Sequence, residues 1–259
     1  MRIVCTGPRS ATPRRSILTI RQGLLRVLAA STWLCVSAPQ AQVIALDTGH
    51  SIATQGAISA RGVAEFEFNR ALTLAVDEAL RGAGYATTMI GTDGQTLDLA
   101  SRPRKAAAAG AVFFLSLHHD SAKARFQRDW EFEGRQRKFL DDRFRGFSLF
   151  ISRENPKWWQ ALPCASAIGA HLIAAGFKPS RYHADAILGS GREFADEANG
   201  VHFFDALAVL RRASMPAVLL EAGVIVNRDD ESMLARPQTR QAIGRAVAAG
   251  LGTCLAPRH

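Results

Sequence analysis

The stretch AVFFLSLHHDS, residues 111–121, decides the fold class of this 259-residue chain. Its first seven residues are almost all apolar, whereas a strand with one solvated face alternates apolar and polar side chains. Such a run is typical of a central strand in a parallel sheet that is covered on both faces. The predicted strand, Ala111–His118, therefore ends where a cluster of ionisable side chains begins.

Short aliphatic runs alternate with longer helical patterns on both sides of this strand, which indicates an α/β sheet that is largely parallel. The other predicted strands are Val43–Asp47, Ala86–Ile90, Phe147–Ser152 and Ala217–Glu221. The predicted helices are Val63–Arg81, Leu97–Ala109, Trp158–Ala175, Phe203–Arg212 and Gln238–Leu251. We expect a single α/β domain whose mostly parallel, twisted sheet is flanked by helices on both faces.

Two segments fit no regular element well. Ala122–Gly146 is dense in charged and aromatic residues, and we interpret it as a surface helix or a substrate-facing loop. Phe177–Gly200 is rich in Gly, Pro, Ser and charge, and it lies where a lid or rim loop is expected. For both segments, a plain solvated connection is the alternative.

The N-terminus has the charge pattern of an export signal, because residues 1–42 contain six arginines and no acidic residue. The apolar run Val27–Val36 is too short to span a bilayer, which needs about 20 apolar residues. Residues 12–18 resemble a loose twin-arginine signal. We predict a signal peptide over residues 1–41, cleaved after Ala41, and a catalytic domain over residues 42–259 without a transmembrane span. An uncleaved amphipathic or disordered N-terminus is the alternative.

Removal of this leader changes the charge and the cysteine content. Six of the nine net positive charges lie in it, which leaves three on the mature part, so binding to nucleic acid is poorly supported. Of the four cysteines, Cys164 and Cys254 remain. In an oxidising compartment they could pair, and two buried, unpaired thiols are the alternative because the sequence does not give their separation.

Ionisable residues follow the ends of the predicted strands. His50 comes just after the first strand, His118 ends the third and Glu221 ends the last. The ends of parallel strands share one edge of the sheet, and ligands of open α/β folds bind outside that edge. Glu65 joins this group because the helix after the first strand begins at the same edge.

Two imidazoles and one carboxylate are a ligand set of catalytic zinc, with the fourth position left for water or substrate. His50, Glu65 and His118 are the candidate ligands of one zinc ion. A second carboxylate, Glu221, would take and return the proton. Alternatively, His50 is a turn residue and His118 a buried core histidine, and only one of His118 and His119 can face a given site on a strand.

Four motifs resemble those of the zinc-dependent N-acetylmuramoyl-L-alanine amidases, in the order of that family. They are Asp47-Thr48-Gly49-His50; Gly62-Val63-Ala64-Glu65 followed by Asn69; Ser116-Leu117-His118-His119-Asp120-Ser121; and Met215 to Glu221 followed by Asn227 and Glu231. The resemblance covers nearly all of residues 43–252. Thr48 and Ser51 stand where the family usually has Pro and Gly, and neither position is a ligand.

The resemblance implies that His50, Glu65 and His118 bind zinc and that Glu221 is the catalytic carboxylate. It also implies the substrate, peptidoglycan or its muropeptides, cut at the amide between N-acetylmuramic acid and L-alanine outside the cytoplasmic membrane. Whether a protein activator takes part is left open. A zinc peptidase that cuts another stem-peptide bond and a non-catalytic cell-wall-binding module are the alternatives.

Supporting roles are assigned to four further residues. Asp47 is a candidate support for a ligand. Arg61 and Arg102 are candidate partners for stem-peptide carboxylates, and His183 is a candidate substrate contact on the rim. For each of them, an ordinary surface or structural role is the alternative.

Overall fold

Nine strands and six helices follow one another along residues 41–255, the part of the chain that the computed structural model describes. The strands are β1 (Val43–Thr48), β2 (Ala86–Ile90), β3 (Phe113–Asp120), β4 (Arg128–Phe132), β5 (Arg135–Phe139), β6 (Ser148–Ile151), β7 (Phe194–Asp196), β8 (Val201–Phe203) and β9 (Ala217–Val224). The helices are α1 (Glu65–Gly82), α2 (Ser101–Ala108), α3 (Trp158–Ala174), α4 (Ala208–Arg211), α5 (Arg228–Leu234) and α6 (Pro237–Leu255).

Seven strands form one sheet in the order β2-β1-β3-β9-β6-β8-β7. The pairs β2–β1, β1–β3, β3–β9 and β6–β8 are parallel, whereas β9–β6 and β8–β7 are antiparallel. The strand predicted to be central, β3, lies between β1 and β9. The prediction of one α/β domain with a mostly parallel sheet is confirmed.

Helices cover both faces of this sheet. Successive apolar side chains of a strand point to opposite faces, so both faces are hydrophobic. Leu46, Leu115 and Leu220 belong to a buried cluster with residues of α1, α3 and α6. Phe114 and Leu219, on the opposite face, belong to a second cluster with residues of α2 and α4. Each strand residue in the middle of the sheet is thereby buried, which explains the unbroken apolar run of β3.

The long helix α1 carries the periodicity that predicted it. Phe68, Leu72, Val76 and Leu80 recur every four residues and are all buried. Gly84, which follows the helix, has a φ of 89° that a residue with a side chain rarely adopts. Packing of this face fixes the start of α1, and therefore Glu65, against the edge of the sheet.

A disulfide joins Cys164 in α3 to Cys254 in α6. The two cysteines are 90 residues apart in sequence, and their helices pack side by side under the sheet. Of the two alternatives left open by the sequence, the structure therefore shows the paired state.

The charged segment Ala122–Gly146 contains a β-hairpin, so its interpretation as a surface helix or loop is wrong. Strands β4 and β5 pair antiparallel, and the indole Nε1 of Trp130 donates a hydrogen bond to the carbonyl of Ala60, 3.0 Å away. Cross-strand pairing and this anchor outweigh the high charge of the segment. The hairpin thus lies against the loop that leads into α1.

The predicted helix Phe203–Arg212 is also wrong in its first half. Phe203 ends strand β8, and the amide of Phe204 donates to the carbonyl of Ile151 at 2.8 Å. Only Ala208–Arg211 is helical. Pairing with β6 overrides the helical pattern, and the predicted rim segment Phe177–Gly200 supplies the neighbouring strand β7.

The predicted export signal lies outside the described residues except for Ala41, so its prediction stays untested. No helix within residues 41–255 combines the length and apolar character that crossing a membrane requires.

Candidate metal centre

The ends of β1, β3 and β9 lie side by side at one edge of the sheet, and the predicted site residues lie at this edge. His50 follows β1 by two residues, Glu65 opens α1, and His118 lies near the end of β3. Glu221 in β9 is in register with His118, and residues in register on paired strands face the same side. The topology brings together residues from four distant stretches.

Glu65 stands between two imidazoles. Its Oε2 lies 3.0 Å from Nε2 of His50, and its Oε1 lies 3.0 Å from Nδ1 of His118. The two rings meet edge to face with their centroids 5.0 Å apart. One ligand atom from each residue lies within 4.8 Å of the other two. Two nitrogens and one carboxylate oxygen are therefore close enough to bind a common cation.

The electrostatics of Glu65 favour a ligand. Burial alone would raise the pKa of Glu65, but hydrogen bonds from His118 and His50 and the charges of those rings hold it well below its ordinary value. The amides of Ala57 and His119 also donate to this carboxylate, at 3.0 and 3.3 Å. Glu65 is thus ionised at neutral pH, as metal binding requires.

Two glycines let the ligands approach the main chain. A Cβ atom on Gly49 would lie 2.3 Å from the ring of His118, and one on Gly56 would lie 2.4 Å from Oε2 of Glu65. His50 itself has a φ of 68°, which is uncommon for a residue other than glycine. The backbone around the three donors is therefore shaped for this arrangement.

Arg102 is not placed as the sequence predicts, because it is buried beneath the centre with 2% of its side chain exposed. Its Nη1 donates to Oδ1 of Asp47 at 2.7 Å and to the carbonyl of Thr48 at 2.5 Å. Its Nη2 donates to the carbonyls of His50 and Thr96. This guanidinium has no free surface for a substrate carboxylate. Instead, it fixes the main chain of His50 with the help of Asp47.

We expect Arg102→Met to lower the free energy of unfolding by about 3–5 kcal/mol, because it leaves Asp47 as an unpaired buried charge. Denaturant unfolding followed by circular dichroism measures this change. Arg104→Met is the matched control, since Arg104 lies on the same helix with 68% of its side chain exposed. The control should change stability by less than about 0.5 kcal/mol. Equal effects of the two substitutions would contradict the role of Arg102.

His119 faces away from the three donors. A β-bulge shifts the register of β3 and β9 between His118 and Asp120, and Nδ1 of His119 lies 2.7 Å from Oδ1 of Asn69. The amide of Asn69 donates to Oε1 of Glu65 at 3.2 Å and to the carbonyl of Gly49 at 3.1 Å. Burial lowers the pKa of His119 to about 3, so its neutral ring donates to Asn69 and fixes the amide that orients Glu65.

Glu221 has the environment of a proton donor. Its Oε2 is buried and has no hydrogen-bond partner among the described residues. Burial raises the pKa of Glu221 well above its ordinary value, and the negative charges of Asp120 and Glu65 raise it further. Such an environment favours the protonated form of the carboxyl group.

A pocket of about 210 Å³ adjoins Glu221. Glu221, Asp120, Tyr182 and His183 are among its lining residues, and the three candidate metal ligands are not. Nε2 of His183 lies 2.6 Å from Oδ2 of Asp120, and the hydroxyl of Tyr182 donates to the same oxygen. His183 thus lines this pocket, and its predicted place on the rim and its contact with substrate stay predictions.

Arg61 is held by other protein groups. Its Nη1 lies 2.5 Å from Oε2 of Glu231 and donates to the carbonyl of Arg228 at 3.0 Å. Its guanidinium also lies over the ring of Trp130, 5.8 Å from the centroid. Arg61 joins the loop before α1 to α5, and its predicted binding of a substrate carboxylate is untested.

The sequence matches the profile of a protein family described as N-acetylmuramoyl-L-alanine amidase over residues 44–253. No curated protein sequence matches the chain significantly.

Three solved structures illustrate the similarity of fold. An N-acetylmuramoyl-L-alanine amidase from Clostridium difficile 630 superposes with a TM-score of 0.65 at 14% identity, covering 85% of this chain and 99% of that one. The amidase Ami1 from Mycobacterium smegmatis gives 0.66 at 21% identity, covering 84% and 98%. The CwlD amidase from Clostridioides difficile, solved with the GerS lipoprotein, gives 0.62 at 19% identity, covering 84% and 100%.

Proposed function

The chain belongs to the family of N-acetylmuramoyl-L-alanine amidases, and we propose that it uses one zinc ion held by His50, Glu65 and His118, with Glu221 as the proton-handling carboxylate. It is a hydrolase of the amide bond between N-acetylmuramic acid and L-alanine in peptidoglycan. The amidase function predicted from the sequence motifs is confirmed, and the metal and the residue roles are the proposal.

The observation that carries the proposal is the meeting of three donor atoms within 4.8 Å. Imidazole nitrogens favour zinc over magnesium or calcium, which prefer oxygen ligands. Two histidines and one carboxylate make three protein ligands, and three ligands leave one position of a tetrahedral zinc site free. The donor set therefore fits a catalytic zinc ion.

When bound at such a site, zinc supplies Lewis acidity towards an amide carbonyl and lowers the pKa of a water molecule towards about 7. Neighbouring residues of the protein orient the ligands. Asn69 and the amide of Ala57 hold the carboxylate of Glu65 in place. Arg102 fixes the backbone carbonyl of His50. These contacts are all made by protein groups, and they orient the donor residues.

Glu221 completes the chemistry because amide hydrolysis must move a proton. The attacking water loses a proton, and the nitrogen of L-alanine must gain one before it leaves. Glu221 is in register with His118 and its buried oxygen lacks a partner. It takes the proton of the attacking water as a carboxylate, and its raised pKa then favours the protonated form, which returns this proton to the leaving nitrogen.

Peptidoglycan lies outside the cytoplasmic membrane, so the amidase acts there. We propose that residues 1–41 direct the chain to the periplasm or cell wall. The disulfide between Cys164 and Cys254 supports this location, because disulfides persist in oxidising compartments.

Digestion of purified sacculi tests the substrate and the metal together. We expect the protein to release intact stem peptides that begin with L-alanine and to leave glycan strands without peptides. A chelator should stop the release, and added zinc should restore it, because the ligands remain folded around the vacant position. Chromatography with mass spectrometry of the released peptides measures the outcome.

Three outcomes of this digestion separate the alternatives. Peptides cut within the stem would indicate a peptidase, and release that resists the chelator would contradict the zinc proposal. The CwlD structure contains the GerS lipoprotein, and this precedent supports testing for an activator. Turnover by the purified chain alone would show that a protein partner is not required.

A further inference from the structure

Arg192 is a cation without a protein partner in the pocket beside Glu221. It lines this pocket, and its buried Nε has no hydrogen-bond partner. The neighbouring arginines differ, because Arg153 and Arg181 each pair with a carboxylate, and no salt bridge within residues 41–255 involves Arg192. The carbon of its guanidinium lies 3.2 Å from the centroid of Phe204, so the group is held against that ring.

The other charged groups of this pocket are already compensated. The carboxylate of Asp120 accepts from the amide of Ser121 at 2.7 Å, from the hydroxyl of Tyr182 and from the ring of His183. The ammonium of Lys123 donates to a main-chain carbonyl. Burial lowers the pKa of Arg192, but a guanidinium keeps its charge in proteins. The guanidinium of Arg192 is therefore the cation of this pocket whose N–H groups are still available to an anionic ligand.

We propose that Arg192 binds the free α-carboxylate of the second residue of the stem peptide and thereby selects substrates that carry it. This inference rests on the proposed function. A guanidinium recognises a carboxylate through parallel charge-assisted hydrogen bonds. On the glycan side of the scissile amide no such group is available, because the lactyl carboxyl forms the amide itself. On the peptide side, the second residue is a glutamate linked through its γ-carboxyl, which leaves its α-carboxylate free.

The position of Glu221 gives the direction of the peptide. Because Glu221 delivers a proton to the leaving nitrogen, the nitrogen of L-alanine must lie beside it during the reaction. Glu221 also lines the pocket that contains Arg192, so the peptide beyond L-alanine continues into this pocket. The pocket volume of about 210 Å³ is enough for one or two amino-acid residues. A glycan strand continues in both directions from the cleaved unit and would not fit in it.

Two muropeptides test the proposal when they differ only in whether the second residue bears a free α-carboxylate or a carboxamide. For the unsubstituted protein we expect a kcat/KM about 10- to 100-fold higher on the acid, the range of a charge-assisted pair. Arg192→Gln should bring this ratio close to one, because turnover of the acid should fall more than turnover of the carboxamide. Arg192→Lys, which keeps the charge without the fork, should give an intermediate ratio. Arg181→Gln is the matched control and should keep the full ratio.

Binding of the product peptides, L-alanyl-γ-D-glutamate and its α-carboxamide, is measured in parallel by calorimetry. Arg192→Gln should weaken binding of the acid alone. A ratio of one in the unsubstituted protein, or an equal loss on both substrates in Arg192→Gln, would overturn the proposal. If neither muropeptide is cleaved, the proposed function fails, and the binding of the two peptides still decides whether Arg192 distinguishes them.

Discussion

Replacement of Glu221 by glutamine should reduce amidase turnover by a factor of about 10²–10⁴, the usual contribution of a general acid or base. Glutamine keeps the size and polarity of the side chain but cannot carry the proton. Zinc content should stay at one ion per chain, because Glu221 is not among the three residues that meet in the metal cluster. Release of stem peptides from sacculi and metal analysis of the same preparation measure both quantities.

The pH dependence of the variant is a second measure of this role. The unsubstituted protein should lose activity as the pH falls, because Glu221, whose pKa is raised by burial, then becomes protonated and cannot take the proton of the attacking water. The residual activity of Glu221→Gln should lack this fall. Glu193→Gln is the control, since Glu193 is exposed and pairs with Arg153. Full activity of Glu221→Gln would remove Glu221 from the mechanism.

Glu65→Ala should abolish both zinc binding and activity. Glu65 is the single carboxylate of the cluster and contacts both imidazoles, so its removal leaves two imidazoles and no carboxylate to bind the cation. Loss of a residue that merely supports a ligand costs about 10- to 100-fold in metal affinity, and loss of a ligand should cost more. Competition with a chromogenic chelator measures this affinity.

A neighbouring residue provides the control for Glu65. Glu67 lies two positions further along α1 and is exposed, with only a long contact of 3.7 Å to Arg70. Glu67→Ala should bind zinc as the unsubstituted protein does. Circular dichroism should show both variants folded, because the apolar face of α1 is intact in each. Zinc bound at full affinity by Glu65→Ala would show that the metal site lies elsewhere.

The parts of the site that follow from strand ends could be predicted from the sequence. His50 and His118 follow apolar runs that form β1 and β3, and the parallel order of these strands brings their ends together. The start of α1 is marked by its apolar periodicity, which places Glu65 at the same edge. The amidase motifs then assign roles that spacing alone does not.

Residues whose roles depend on tertiary packing could not be predicted in this way. Arg102 looks like a surface cation on a short helix, and only the fold shows that its guanidinium lies under β1. Arg192 lies in an irregular segment with no periodic pattern, and its place beside Glu221 depends on the return of the chain through β7 and β8. The strand ending at Phe203 was predicted as helix because pairing with β6 is a long-range contact that local preference does not report.

The bond between Cys164 and Cys254 determines what a proteolytic cut between the two cysteines does to the molecule. It encloses the whole stretch that supplies His183, Arg192 and Glu221, including the exposed turn around Ile187. A single cleavage in that turn leaves two fragments that remain covalently attached. The disulfide keeps the two fragments linked, so their contact stays intramolecular and has a high effective concentration. The fragments of a cut molecule therefore do not diffuse apart.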